Sequence, residues 1–108
     1  MPESTLPELM AAMPGAFVPA KAAGVNAVVQ YRVTGEEASD WIITIRDGAC
    51  TVEQGVSPKA NVTLRMDSKD LKSMMTGKVN GVQLFMQGKL KIEGDLNLAT
   101  KFASYFSK

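Results

Sequence analysis

The hydrophobic period changes several times along the chain, and each change marks an element. Leu6, Leu9, Met10 and Met13 follow the i, i+3, i+4, i+7 spacing of one helical face, with Ser4 or Thr5 placed to cap it and Pro7 in its first turn. Pro14-Gly15 predicts the end of that helix, and "GAFVPAKAAG" predicts an irregular crossing or one short turn. From Val25 the period falls to two. Val25, Ala27, Val29, Tyr31 and Val33 share one face of a strand, while Asn26, Gln30, Arg32 and Thr34 supply most of the other. The alternation recurs in "WIITIR" (Trp41, Ile43, Ile45 inward), "ACTVEQ" (Cys50, Val52), "ANVTLRM" (Val62, Leu64, Met66) and "KLKIE" (Leu90, Ile92). Asp47-Gly48 joins the second and third of these runs as a tight hairpin turn, since both residues tolerate positive φ.

Summed over five strands, one face is nearly all aliphatic or aromatic and the other is polar, with only Val28 and Ile42 intruding. Such a sheet is mostly antiparallel with one wet face, and its dry face must lie under helices. Helices are available. Asp67 or Ser68 caps one that runs through about Thr76, carries Leu71, Met74 and Met75, and stops at Gly77. Asn80 caps "GVQLFMQ", and Asp95 caps "LNLATKFASYF". The predicted class is α/β in the α+β sense: a two-layer sandwich, a five-stranded mostly antiparallel sheet with helices covering one face. The 108 residues suffice for a single domain over 1–108, with residues 1–24 forming the N-terminal helix and crossing and 25–108 the sheet and its cover.

Charge and composition then remove chemistries. Twelve basic and eleven acidic residues are scattered without a like-sign run, so nucleic acid is not expected as a partner. No apolar run approaches the ~20 residues of a membrane span, and Pro2, Glu3 and Ser4 do not open a signal segment. A cytoplasmic protein without a transmembrane segment is expected, and Ser107-Lys108 lacks the final leucine of a peroxisomal Ser-Lys-Leu address. The chain has no histidine, which removes Ser-His-Asp chemistry, HExxH zinc sites and most bases poised near neutral pH. Its single cysteine, Cys50, cannot form an internal disulfide and reads as a core filler. Asp40, Asp47, Asp67 and Asp95 stand singly at turns and helix starts, where capping already explains them. No catalytic residue, metal or cofactor is expected, and the chain reads as a non-enzyme.

The helical layer carries more apolar surface than one stripe requires. Val82, Leu84, Phe85 and Met86 wrap well past half the circumference of their helix, and the last helix sets Leu98, Phe102 and Tyr105 beside a second stripe of Leu96, Ala99, Ala103 and Phe106. Met66, Met74, Met75 and Met86 fall in or beside this layer, and methionine suits a surface that repacks around varied guests. On the residues alone two readings stay open, helix-on-helix packing or a ligand pocket. Gln87 is correspondingly either a solvated amide at a helix end or a polar group at a pocket's edge.

The segments "SDWIITIRDG", "ANVTLRMDSKDLKSMMTGK" and "FMQGKLKIEGDLNLATKF" resemble the sterol carrier protein 2 family in order, spacing and residue type, over about Gly24 to Phe106. The resemblance implies a non-enzymatic lipid-binding or carrier domain. Its helices and five-stranded sheet would enclose an apolar tunnel for a long-chain fatty acid, fatty acyl-CoA, phospholipid or sterol. It also implies that Gln87 points toward that tunnel. The expected ligand contacts are Trp41 and Ile43 from the sheet, Leu71, Met74 and Met75 from the first covering helix, and Val82, Leu84, Phe85, Met86 and Gln87 from the second. Leu98, Phe102, Tyr105 and Phe106 complete them from the last helix. Two features depart from the family pattern: a short, proline-broken, weakly charged N-terminal segment, and Met86 where animal members have phenylalanine. The alternative is an interaction module that forms a homodimer or docks on a lipid-metabolising enzyme. An enzyme using a carboxylate in the tunnel has neither histidine nor paired acidic residues to support it.

Overall fold

The computed structural model describes residues 5–106, so Ser4 as the alternative first cap, and Ser107 and Lys108, lie outside the described residues. Helix α1 (Leu6–Ala16) starts from Thr5 in a reciprocal cap: the Glu8 amide donates to the Thr5 hydroxyl at 3.4 Å, and the Thr5 amide to Glu8 Oε1 at 2.8 Å. It buries Leu6, Met10 and Met13 and runs two residues past the predicted stop at Pro14. A proline this close to the C-terminal end removes a single amide donor, and the Phe17 amide closes the last turn on the Pro14 carbonyl at 3.3 Å. The crossing that follows contains one 3-10 turn, Pro19–Ala22.

Five strands follow the predicted order: β1 (Ala27–Thr34), β2 (Ser39–Arg46), β3 (Ala49–Gln54), β4 (Val62–Asp67) and β5 (Lys91–Gly94). They form one sheet in the order β3-β2-β1-β4-β5, antiparallel at every pairing except β1 with β4. The β2–β3 hairpin turns on Asp47 and Gly48 at φ 52° and 77°, the doubly positive pair a two-residue turn of this hand requires. Register aligns the apolar positions into transverse rows. Val52, Ile43, Val29 and Val62 form one row, and Trp41, Tyr31, Leu64 and Ile92 the next. Helices α2 (Ser68–Met75), α3 (Gly81–Met86) and α4 (Leu96–Phe102, continued by a 3-10 turn through Tyr105) pack with α1 over these rows.

The predicted wet face is not wet throughout. Gln30, on the polar side of the central strand β1, is 2% exposed. Its Nε2 lies 2.9 Å from the Gly55 carbonyl, 3.0 Å from that of Trp41 and 3.1 Å from that of Tyr31, while its Oε1 accepts from the Ser57 amide at 2.7 Å. The chain leaving edge strand β3 must pass two strands to reach β4, and Gln30 pins that connection against the sheet. Cys50 behaves as the sequence suggests: it is buried, and burial pushes its thiol up to about 11, which keeps it out of nucleophilic chemistry near neutral pH.

Candidate functional site

The space between the sheet and its helices is where most of the apolar residues expected to contact a ligand converge. β2 turns Trp41 and Ile43 into it, and the indole Nε1 donates to the Ser39 hydroxyl at 2.7 Å, so the ring is buried with its polar end satisfied. β4 runs straight into α2 through Asp67, whose carboxylate accepts from the Lys69 amide at 2.8 Å and sets Leu71 over the sheet. Asp95 does the same for α4 by accepting from the Leu98 amide at 3.0 Å, which aims Leu98 and Phe102 inward.

A chain of aromatic rings crosses this interior. Tyr31 of the sheet meets Phe102 at 6.2 Å between centroids, Phe102 meets Phe106 edge-on at 5.1 Å, and Phe106 meets Phe17 at 5.6 Å. These are the tilted and T-shaped geometries the ring quadrupole favours. Phe17 and Phe106 also pair as an isolated antiparallel bridge, next to a 2.7 Å bond from the Val18 amide to the Tyr105 carbonyl. Burial pushes the Tyr31 phenol well above its ordinary value, so it stays neutral. Phe17 lay in a segment with no period to reveal it. Tyr31 was legible only as a strand residue.

The residues expected to contact a ligand divide in two. Trp41, Ile43, Leu71, Leu84, Leu98, Phe102 and Tyr105 are all buried in one core, with Met74, Met75 and Phe106 half-buried against it. Val82, Phe85, Met86 and Gln87 stand apart on the outer surface. Helix α3 is only six residues long, and a single side chain, Leu84, anchors its inner side. The Lys89 and Leu90 amides then turn back onto the Leu84 carbonyl at 2.9 and 3.2 Å. Gln87 is the C-cap of that helix, and its amide donates to the Gln83 carbonyl at 3.1 Å before Gly88 turns the chain at φ 75°.

A polar cleft of about 450 Å³ opens outside the core between α1, the β1–β2 turn and α2, lined in part by Leu9, Glu36, Lys69, Ser73 and Lys78. Glu37 organises it, accepting from Lys72 Nζ and from the Leu6 amide, each at 2.8 Å. The Lys72 hydrogen bond, then the Leu6 amide, hold its carboxyl below the ordinary glutamate value. A carboxyl lowered on folding adds stability above its unfolded pKa, and that stability is lost as pH falls through the folded value. Urea unfolding should therefore show wild-type stability falling as pH drops below about 4.5, with Glu37→Gln less stable at pH 7 and flatter across that window. Identical slopes for the two proteins would contradict this.

Among the described residues no group of acidic or cysteine side chains could hold a metal ion, and no helix is long and apolar enough to cross a membrane. The molecule is thus a sheet-and-helix sandwich whose concentrated feature is an apolar interlayer. The chain belongs to the SCP-2 sterol transfer family, which matches residues 9–107. It is 43% identical over 75 residues to hydroxysteroid dehydrogenase-like protein 2 of Xenopus tropicalis, a match that covers 68% of this chain and 18% of the relative. It is 34% identical over 87 residues to an oleate-induced peroxisomal protein of Candida maltosa, covering 78% of this chain and 68% of that one. The crystal structure of sterol carrier protein 2 like 2 from Aedes aegypti superposes with a TM-score of 0.72 at 25% identity, over 92% of this chain and 90% of that one. The chain spans about a fifth of the length of the frog relative.

Proposed function

We propose that this domain binds a long-chain lipid, as a fatty acid, fatty acyl-CoA, phospholipid or sterol, between its sheet and its helices, and carries it without chemical change. The observation that supports the reading is the interlayer itself: in a member of this family, Trp41, Ile43, Leu71, Leu84, Leu98, Phe102 and Tyr105 converge on one apolar volume. Each methylene moved from water into it contributes ~0.8 kcal/mol, so a long acyl chain gains a gross ~10 kcal/mol before ordering costs. The helical side is suited to give way. Met74 and Met75 are deformable and half-buried, and α3 is held by one buried leucine.

Catalysis is not part of the proposal, because the chain has no histidine, Asp67 and Asp95 cap helices, and Asp40, Glu37 and Glu93 pair with cations. The frog relative is named as dehydrogenase-like and is mostly sequence outside the match, so a lipid-metabolising enzyme is proposed as the recipient of the cargo. A cytoplasmic location goes with this reading. The Candida relative is named as peroxisomal, and imaging of a tagged chain distinguishes the two compartments.

The test is uptake of a fluorescent fatty acid by delipidated protein in vesicle-free solution, with native mass spectrometry for stoichiometry. The expected result is a one-to-one complex with altered Trp41 emission, because that indole stands in the interlayer. Failure to take up any acyl chain or sterol would falsify the reading.

A further inference from the structure

Helix α3 turns apolar side chains in two opposite directions. At about 100° per residue, Val82, Phe85 and Met86 fall within one sector and Leu84 points the other way. Leu84 is buried, whereas Val82, Phe85 and Met86 are 65%, 51% and 80% exposed. Three large apolar side chains thus project together from a six-residue helix, left largely uncovered by the described residues. The charge around them is one-sided. From Leu71 to Ile92 there are four lysines and no acidic residue, in a chain whose basic and acidic totals nearly balance at twelve and eleven. Lys78 just before the helix and Lys89 just after it are exposed, and neither is in an ion pair among the described residues.

We propose that the outer face of α3 docks the domain onto a bilayer surface that bears anionic lipid. Val82, Phe85 and Met86 would enter the boundary between headgroups and acyl chains, while Lys78 and Lys89 meet the negative headgroups. A second copy of the chain fits the same face poorly, since a two-fold contact would set lysines against lysines. A folded protein partner needs roughly 800 Å² of complementary surface, far more than three side chains on one and a half turns supply. A bilayer needs only the insertion. The proposal deepens the carrier reading by naming where cargo is collected, and it is measured separately from uptake.

The experiment is co-sedimentation of the full chain with vesicles of phosphatidylcholine alone and of phosphatidylcholine with about a quarter phosphatidylserine. The wild type should pellet with the anionic vesicles. Phe85→Ser combined with Met86→Ser should lower the apparent affinity by ~10-fold or more. Lys78→Gln combined with Lys89→Gln should lower it by ~10-fold, a difference that disappears in ~1 M salt. Circular dichroism confirms that each variant is folded. The proposal is overturned if the wild type ignores both vesicles, if the variants bind as well as the wild type, or if ultracentrifugation without lipid shows a dimer that depends on Phe85. Uptake in solution without docking removes this proposal alone; docking without uptake removes the carrier reading alone.

Discussion

Phe102→Ala should lower the free energy of unfolding by about 3–5 kcal/mol, one of the two largest losses expected in this molecule. The ring is 4% exposed and touches both Tyr31 of the central strand and Phe106 near the end of the chain, so truncation empties the junction between the sheet and the last helix. A lost aromatic transfer term adds to an unfilled cavity, because the strand on one side cannot collapse inward. Against a total of about 5–15 kcal/mol for a typical domain, this is a large share. Phe102→Leu keeps most of the volume and should cost about 1–2 kcal/mol. Urea unfolding followed by Trp41 emission measures both. A loss below ~1 kcal/mol for the alanine variant would mean that α4 repacks freely, and the aromatic chain would cease to explain how the helical layer is held.

Gln30→Leu should cost about 2–4 kcal/mol, although a nearly isosteric apolar residue replaces a polar one in a buried site. The usual rule favours that exchange. Here it fails because the partners are backbone groups that stay behind: the carbonyls of Trp41 and Gly55 and the amide of Ser57 lose their mate together. Gln30→Glu should be worse at neutral pH, since its carboxylate could answer the Ser57 amide but would face three carbonyl oxygens. The discriminating measurement is hydrogen exchange at the Ser57 amide. Its protection should fall in Gln30→Leu more than that of amides in the β2–β3 hairpin, and uniform loss of protection would remove the pinning role.

Comparison of these residues shows what the sequence could and could not convey. Alternation placed Val29, Ile43, Val62 and Leu64 on one face, because a strand's period is fixed by backbone geometry and one face lay under helices throughout. Caps were equally readable: Thr5, Asp67, Asn80 and Asp95 each accept an amide of the first turn. Gln30 was not readable as buried, since period two assigns a face and says nothing about a connection from elsewhere in the chain lying over that face. The second helix over the sheet shows the same limit. Hydrophobicity marked Val82, Leu84, Phe85 and Met86 alike, whereas a helix this short buries only the side opposed to the sheet, and the structure divides the four between inside and outside. Gln87, which the family resemblance points toward the tunnel, stands at an exposed helix end by geometry.

The pairing of Phe17 with Phe106 bears on how the helical layer would come apart. It clasps the chain just after α1 to the chain just after α4, so the first and last helices of the cover are tied to each other as well as to the sheet, as a belt is held at its buckle. A pull on either helix is therefore shared with the other through the clasp instead of peeling one helix alone from the sheet.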